Sequence, residues 1–385
     1  MNQQEIDKRI YGTFCSTFRI PRRCNKVLII VDDITRNTPL EKLLRPIFKC
    51  CDYLPIEIII ALGSHRKMTS DEIQRKFKLD IPCPIIQHDM NDVDYDTFGS
   101  FSNKGSIRVG LNKKLFDDLT INPEGKTTNY VISIGNIVPH ATTGFSGGFK
   151  NILPGCASLS TIAETHWWAL EHNVEDIIGN FDNPVREEIA NIGQTFLDLF
   201  IDVIMNGDEI YDLSIGCTQE DHRRGCEKSK EIYVRYFSKK ANVVLAKAYP
   251  KDNNLRQAIK AICSASVVCE DGGTIILEAD CPEGLSSSHL EIEEKGFRNP
   301  EILYNEIENW NGEKDNIFYR KMLSYYTLIA IGRIFQKKNV FLISKNISEK
   351  KALGFKGKFN SILDIPNKED WFFLSNACDV LPIVR

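Results

Sequence analysis

The chain lacks the features that mark nucleic-acid-binding, membrane-spanning and secreted proteins. Its 385 residues include 48 Lys and Arg against 52 Asp and Glu, a net charge of −4. A surface that binds duplex DNA carries a basic excess, so nucleic acid is not expected as a partner. No apolar run approaches the ~18 residues of a membrane-spanning helix, and Met1–Arg9 is polar and mixed in charge, unlike a signal peptide. We therefore expect a soluble cytoplasmic protein with no membrane partner.

The sequence also has no cysteine pair of the C-x-x-C type, no internal repeat and no low-complexity segment. Its twelve cysteines are scattered, and without a secretory signal we expect them to be reduced thiols. Hydrophobic residues form 42% of the chain and charged residues 26%, which is typical of a soluble globular protein. The length is sufficient for two or three domains, each with its own core.

Short apolar runs alternate with helix-like segments in the N-terminal part of the chain. This alternation is typical of a mostly parallel sheet covered by helices. The runs predict strands at Lys26–Val31, Ile56–Leu62, Ile85–Gln87, Ile107–Leu111 and Tyr130–Ile134. The predicted helices are Leu40–Cys51, one that follows a capping box at Thr69–Glu72, one at about Ser158–Val174, and one from Asn183-Pro184 toward Phe200.

The same pattern restarts after Tyr236. We therefore predict two α/β domains, residues 1–240 and 241–385, each a mostly parallel sheet flanked by helices. Predicted strands are Asn242–Ala246, Thr274–Ala279 and Val340–Ser344, and predicted helices are Asn254–Ser266 and about Tyr319–Phe335.

Three of the seven histidines lie in or near loops that follow predicted strands, in polar or glycine-rich surroundings: His65, His140 and His166. Ligands of open α/β sheets bind at the carboxyl ends of strands, and an imidazole can serve there as an acid, a base or a metal ligand. For each histidine taken alone, a surface or packing role is the ordinary alternative. We interpret the other four as structural or surface residues: His88, His172, His222 and His289.

The densest signal is the segment Thr143–Asn151, in which three glycines fall within the five residues Gly144–Gly148. Glycines let a backbone approach a ligand and turn its N–H groups toward an anion. The spacing is neither that of a Walker A loop nor G-x-G-x-x-G, and a flexible loop with a solvated Lys150 is the alternative. Upstream, the carboxylate of Asp33 could hold a ribose hydroxyl, and the guanidinium of Arg36 could hold a substrate carboxylate. A surface salt bridge is the alternative there.

Taken together, these segments resemble the nickel-dependent lactate racemase family. The resemblance is dense from about residue 26 to 190 and keeps several motifs in the family's order. It rests on Asp33-Ile34-Thr35-Arg36, Gly63–Thr69, Pro139-His140 and Gly144–Lys150, and extends to Leu153-Pro154-Gly155, His166 and Asn183-Pro184-Val185-Arg186.

The resemblance implies a nickel pincer nucleotide, a pyridinium mononucleotide that holds nickel through two sulfurs and a ring carbon. Lys150 would be joined to it through a thioamide, and His166 would be the fourth nickel ligand. His65 and His140 would be the acid–base pair, and Arg36 would bind the substrate. The residues implied to contact the cofactor are Asp33, Thr35, Ser146, Gly147 and Gly148. Cofactor-maturation proteins are the implied partners, and the active site is expected in a cleft between the two domains.

The implied substrate is a 2-hydroxy acid, and its chemistry explains the residue types. The α-hydrogen is hard to remove as a proton because the neighbouring carboxylate is already negative. It leaves more easily as a hydride when a histidine takes the hydroxyl proton. The hydride would pass to the cofactor, the planar 2-oxo acid would turn over, and the hydride would return to its other face. Two histidines are expected, because one base cannot readily reach both hydroxyl positions.

The sequence departs from the family where a glutamine and a lysine of the second domain hold the substrate carboxylate. The corresponding helix offers Ser324–Thr327, with no lysine, and Arg320 and Lys321 lie one turn away. We therefore predict a substrate other than lactate, with Tyr325 or Tyr326 donating a hydrogen bond in place of the charge.

Two other functions stay open from the sequence. One is a zinc-dependent hydrolase that uses His65, His140 and His166, although no carboxylate shares a motif with them and Lys150 has no role. The other is a non-catalytic nucleotide or metal carrier, which has no need for two bases.

Overall fold

The computed structural model describes residues 1–16, 18–21, 24–91, 109–112, 114–115, 129–285, 291–348, 354–365 and 371–385. Its contacts divide the chain into two compact units. Unit 1 comprises Met1–Val138, Ser146–Ile162 and Pro184–Ile232, and unit 2 comprises Pro139–Phe145, Ala163–Asn183 and Tyr233–Arg385. The domain boundary near residue 240 stays a prediction, as does an active site between the domains.

Strands and helices are numbered in chain order. The strands are β1 Lys26–Asp32, β2 Ile56–Ala61, β3 Ile85–Gln87, β4 Asn129–Asn136, β5 Pro139–His140, β6 Gly144–Phe145, β7 Leu199–Asn206, β8 Glu209–Gly216, β9 Val234–Phe237, β10 Ala241–Lys247, β11 Cys269–Glu278, β12 Asn339–Ile343, β13 Gly357–Phe359, β14 Trp371–Leu374 and β15 Leu381–Val384. The helices are α1 Gln3–Cys15, α2 Leu40–Cys50, α3 Ser70–Phe77, α4 Leu159–Ala169, α5 Val174–Ile177, α6 Pro184–Phe196, α7 Gln219–Tyr233, α8 Leu255–Ala258, α9 Lys260–Val268, α10 Glu291–Lys295, α11 Pro300–Glu308 and α12 Asn316–Lys337.

Unit 1 is built on a six-stranded sheet in the order β3-β2-β1-β4-β7-β8. All neighbours are parallel except the hairpin of β7 and β8. The apolar run of β1 is buried on both faces, and its alternate residues Val27, Ile29 and Val31 join the core formed with α1 and α2. The capping box predicted at Thr69–Glu72 opens α3.

The order of the strands determines where loops can meet a ligand. Strands β2 and β4 lie on opposite sides of β1, and the three are parallel, so the loops that follow them leave from one edge. A reversal of strand order of this kind opens a crevice at the carboxyl ends. The predicted residues Asp33 and His65 and the glycine-rich segment follow these three strands.

Unit 2 contains a five-stranded, fully parallel sheet in the order β13-β12-β11-β10-β14. Leu245, Ile276 and Ile343 form a core on this sheet. The long helix α12 begins after Asp315, whose side chain accepts the N–H groups of Ile317 and Phe318. The two-stranded hairpin of β5 and β6 also belongs to unit 2.

The structure corrects three predicted elements. The helix from Asn183 ends at Phe196, and Phe200 lies in strand β7, because a short continuous apolar run has the same pattern in a helix and a buried strand. The helix predicted at Ser158–Val174 ends at Ala169, and the one at Asn254–Ser266 is divided into α8 and α9.

The strand predicted at Ile107–Leu111 lies partly outside the described residues, and Leu111 forms an isolated bridge with Ala157. Within the described segments, no helix has both the length and the apolar character needed to cross a bilayer.

Candidate active site

The loops after β1 and β2 bring Asp33 and His65 into contact. The Nδ1 atom of His65 lies 2.5 Å from Oδ2 of Asp33. The carboxylate side chain is 6% exposed and the imidazole 25%. Burial alone would raise the pKa of Asp33, but the charge and hydrogen bond of His65 outweigh it and hold that pKa below its usual range. Asp33 is therefore an anion that orients the ring, with the imidazole proton on Nδ1.

Asp33 also organises its own loop. Its other oxygen, Oδ1, accepts the backbone N–H of Thr35 at 3.0 Å and the Thr35 hydroxyl at 2.5 Å. The N–H of Arg36 donates to the Asp33 carbonyl at 3.2 Å. The preceding residue, Asp32, has a structural role, since it forms a buried ion pair with Lys76 at 2.6 Å. Of the two adjacent carboxylates, only Asp33 contacts a predicted site residue.

Lys150 belongs to unit 1, as do Asp33 and Arg36. Its side chain is half-buried, and in the described part of the chain its amine makes no hydrogen bond or ion pair. Burial, together with the nearby charge of Arg36, lowers the pKa of Lys150 to about 7, while Asp33 opposes the shift. The shift favours the neutral form of this amine, and a neutral amine is a nucleophile.

The glycine loop, residues Ser146–Gly148, is held by hydrogen bonds to protein groups. The hydroxyl of Ser146 donates to the carbonyl of Asn136 at 2.5 Å and accepts the N–H of Val138 at 2.9 Å. The N–H of Gly148, which an anion cradle would offer to its ligand, donates instead to Asp202 at 2.6 Å. The predicted contacts of Ser146, Gly147 and Gly148 with a nucleotide stay predictions.

In unit 2, the hairpin of β5 and β6 presents His140. Its Nδ1 accepts the N–H of Thr142 at 3.2 Å. The turn requires glycine at Gly144, whose φ is +74° and whose Cβ would lie 1.9 Å from the carbonyl oxygen of Asn180. The glycine that the sequence pattern assigned to a ligand loop therefore fixes the hairpin that carries His140.

Helix α4 places His166 against the ring of Tyr326. The two rings meet edge to face with centroids 5.0 Å apart, and the Tyr326 hydroxyl is hydrogen-bonded to Thr142 Oγ1 at 2.6 Å. Burial raises the pKa of Tyr326 to about 12, so the phenol is neutral and can donate a proton in a hydrogen bond. Its neighbour Tyr325 instead donates to Glu306 at 3.0 Å.

The predicted residues thus fall into two groups. Asp33, Thr35, Arg36, His65 and Lys150 belong to unit 1, with the glycine loop, while His140 and His166 belong to unit 2. The roles assigned to all of them, and the meeting of the two groups at one site, stay predictions. In the part of the chain that the structure describes, no three His, Cys, Asp or Glu side chains form a group that could hold a metal ion.

Sequence reasoning missed a buried polar cluster beneath the glycine loop, formed by Asp202, His222 and Arg186. The sequence indicates only a structural or surface role for His222, and it places Arg186 in a motif without assigning it a contact. One signal pointed to Asp202: it is a single carboxylate inside the apolar run Leu199–Met205, and buried charges are rare without a partner.

Comparison with known proteins finds relatives over most of the chain. The lactate racemase N-terminal domain matches residues 16–177, and the lactate racemase C-terminal domain matches residues 237–360. A lactate racemase of Thermoanaerobacterium thermosaccharolyticum is 29% identical over 322 residues, which is 80% of this chain and 72% of that protein. A lactate racemase of Lactiplantibacillus plantarum is 28% identical over 273 residues, which is 69% of this chain but 62% of that protein, less than two thirds.

Solved structures share the fold. The lactate racemase apoprotein from Thermoanaerobacterium thermosaccharolyticum matches with a TM-score of 0.80 and 22% identity, covering 100% of this chain and 93% of that one. A protein from Thermotoga maritima matches with a TM-score of 0.78 and 18% identity, covering 100% and 99%. At such identities the likeness establishes the fold alone, and it confirms the predicted class of two α/β domains with mostly parallel sheets.

Proposed function

Because the chain belongs to the lactate racemase family, a family of isomerases, we propose that it is a racemase or epimerase of a 2-hydroxy acid. One observation carries the proposal: His65 is paired with a buried carboxylate on the same sheet edge as an amine whose pKa is near neutral. The reaction requires a base with a fixed tautomer, and attachment of the cofactor requires a nucleophilic lysine.

The residues present fit the nickel pincer nucleotide that the family resemblance implies. Lys150 is half-buried without an ion-pair partner in the described residues and has a pKa of about 7, which suits covalent attachment through its nitrogen. The cofactor would bring donors of its own to nickel, so the imidazole of His166 would be the one protein ligand and a cluster of three protein ligands would not be required. When bound, the cofactor supplies an acceptor for the substrate hydride.

The chain's own residues would handle the proton and the charge. A neutral His65 has its lone pair on Nε2, because Asp33 holds the proton on Nδ1. That nitrogen would accept the hydroxyl proton of one enantiomer, and His140 would serve the other. Arg36 would hold the negative oxygen atoms of the substrate through two parallel hydrogen bonds. Lys150 and His166 belong to different units, so the proposal requires both units to reach one cofactor.

Intact mass spectrometry tests the attachment directly. Protein made together with the cofactor-maturation proteins should carry an added mass on Lys150 and contain nickel, and protein made without them should carry neither. The Lys150→Arg variant keeps a positive charge but cannot form the thioamide, so it should stay unmodified. An added mass on a different residue, or turnover by the unmodified protein, would refute the proposal.

The substrate is proposed to be a 2-hydroxy acid other than lactate. The lysine that the family uses is absent. The nearby Lys321 does not replace it, since Lys321 is already paired with Glu306. Between the two candidate tyrosines, contacts favour Tyr326, which touches His166 and Thr142, whereas Tyr325 is fully buried and bonded to Glu306. A neutral phenol in place of an ammonium suits a substrate that is held by hydrogen bonds rather than by a second charge.

Steady-state kinetics on a panel of 2-hydroxy acids tests this choice. Larger or more polar acids should give a higher kcat/KM than lactate, and Tyr326→Phe should lower it about tenfold, the cost of one lost hydrogen bond. Tyr325→Phe is the matched control and should change stability rather than selectivity. A clear preference for lactate would show that the missing lysine has no bearing on the substrate.

The zinc hydrolase has no observation in its favour. It leaves Lys150 without a role, and it does not account for the match to the lactate racemase domains. We therefore propose no second function.

A further inference from the structure

A buried polar cluster lies beneath the glycine loop of unit 1, on the side away from solvent. It consists of Asp202 in β7, His222 in α7 and Arg186 in α6, which are 0%, 0% and 3% exposed. Strand β7 pairs with β4 so that Asp202 lies opposite Gly135, next to the strand end from which the loop departs. None of the three residues has a role in the proposed reaction, so their burial needs another explanation.

Two of these side chains hold the backbone of the loop. The Oδ2 atom of Asp202 accepts the N–H of Gly148 at 2.6 Å, and Nε2 of His222 donates to the carbonyl of Ser146 at 3.1 Å. The segment Ser146–Gly148 is therefore tied to the protein interior at both of its ends. Hydrogen bonds of this kind are stronger in a buried site than at the surface, because no water competes for them.

The same two side chains explain why the loop contains adjacent glycines. Gly147 has a φ of +78°, and its Cβ would lie 2.8 Å from Asp202 Oδ2. Gly148 has a φ of +56°, and its Cβ would lie 2.8 Å from the His222 ring. Any other residue would push the loop off the cluster. The glycine pair is thus matched to the cluster below it, whichever ligand lies above.

Arg186 contacts His222 and places a positive charge near Asp202. Its Nη2 donates to Nδ1 of His222, which leaves the His222 proton on Nε2, facing Ser146. Burial is the main reason that the pKa of Asp202 is raised to about 7, with Asp32 adding to the rise and Gly148 and Arg186 opposing it. Oδ1 of Asp202 has no hydrogen-bond partner among the described residues, so this carboxyl is costly to bury and would not be favoured as a mere filler.

We propose that Asp202 and His222 are positioning residues that hold the glycine loop from the protein interior and so fix the turn from which Lys150 projects. Gly148 is the first residue of the 3-10 turn Gly148–Asn151, and the N–H of Lys150 donates to the Gly147 carbonyl at 3.2 Å. Fixing Ser146 and Gly148 therefore fixes the backbone of Lys150. The benefit to cofactor attachment rests on the proposed function, but the hold on the loop does not.

The experiment uses the full-length chain without cofactor, so it is independent of the proposed reaction. Asp202→Leu and His222→Leu remove the two holding atoms, whereas Asp202→Asn and His222→Gln keep an acceptor and a donor. Asp198→Leu is the matched control, because Asp198 also accepts a backbone N–H, that of Val131 at 2.8 Å, in a part-buried hydrogen bond away from the loop. Two quantities are measured: hydrogen exchange of the peptide that contains Gly148, and the pH midpoint for labelling of Lys150 by an amine-reactive ester.

Both Leu variants should speed exchange of the loop about tenfold, the effect of losing one buried hydrogen bond, and should move the Lys150 midpoint upward toward the ordinary lysine value of about 10.4. The Asn and Gln variants should behave as the native protein does. Unchanged exchange and an unchanged midpoint in a folded Leu variant would overturn the proposal, as would an equal effect of Asp198→Leu. If Asp202→Leu does not fold, Asp202→Ser, which is too short to reach Gly148, takes its place with the same expectations.

Discussion

The two units hold their predicted site histidines in opposite ways. In unit 1, Nδ1 of His65 meets a carboxylate, an acceptor, so the ring proton lies on Nδ1. In unit 2, Nδ1 of His140 accepts a backbone N–H, so a neutral ring carries its proton on Nε2. Two residues with the same predicted role therefore differ in which ring nitrogen carries the proton when the ring is neutral.

The two units also differ in what orients these histidines. In unit 1, the carboxylate of Asp33 orients His65. In unit 2, a backbone N–H of the hairpin orients His140, and this hairpin depends on Gly144, which packs against the backbone of Asn180. A carboxylate can be removed by substitution, but a main-chain N–H cannot without a change of fold. A substitution can therefore remove the group that orients His65, but not the group that orients His140.

The largest expected effects come from the two residues assigned to the cofactor, one in each unit. Lys150→Met should abolish both the added mass and turnover, because no nitrogen remains to attach. His166→Ala should keep the added mass but lose nickel, because its imidazole is proposed as a ligand of the metal and not as a partner of the organic group. Intact mass and metal analysis of the two variants measure this. Loss of both mass and metal in His166→Ala would remove the proposed division of roles.

Next are the two predicted acid–base residues. His65→Ala and His140→Ala should each lower kcat by about 10²- to 10⁴-fold, the usual contribution of a positioned base, with nickel content retained. His172→Ala serves as the control, since His172 has no assigned role. Turnover measured in both directions checks the pair, and native rates in either variant would leave the mechanism without its base.

Asp33→Asn should have a smaller effect, because the His65 ring remains and only its tautomer and orientation are lost. We expect kcat to fall about 10²-fold or more, because an amide in place of the carboxylate favours the wrong imidazole tautomer. The values of kcat and KM should change by different factors for the two enantiomers. The two values of kcat/KM should stay equal to each other, because their ratio is the equilibrium constant, which is 1 between enantiomers. Equal changes in kcat for both enantiomers would contradict the difference between the two histidines.

The smallest effect concerns stability. Folding lowers the pKa of Lys150 to about 7, while in the unfolded chain it is about 10.4. Between these values the unfolded chain binds one more proton, so the free energy of unfolding rises with pH. Chemical denaturation at pH 7 and pH 9 should show this rise, and Lys150→Met should reduce it. An identical pH dependence in native protein and variant would show that Lys150 is not desolvated.

Much of this architecture could be read from local patterns. Strands β1, β2 and β3 were predicted within a residue of their bounds, since buried parallel strands are short continuous apolar runs. The apolar run of β7 was predicted as part of the preceding helix, because a short continuous apolar run has the same pattern in a helix and in a buried strand. The spacing of the glycines was visible, but its cause was not, because Asp202 and His222 lie 54 and 74 residues after Gly148 in the chain.

Residue order and residue type are enough to indicate two α/β sheets, the strand ends that carry Asp33, His65 and Lys150, and the family resemblance, since these depend on short-range periodicity and on motifs. The pairing of Asp33 with His65, the backbone contact at His140 and the cluster beneath the glycine loop depend on which strands become neighbours. Which strands become neighbours is determined by the packing of segments that are far apart in the chain. Only folding brings their side chains within hydrogen-bonding distance.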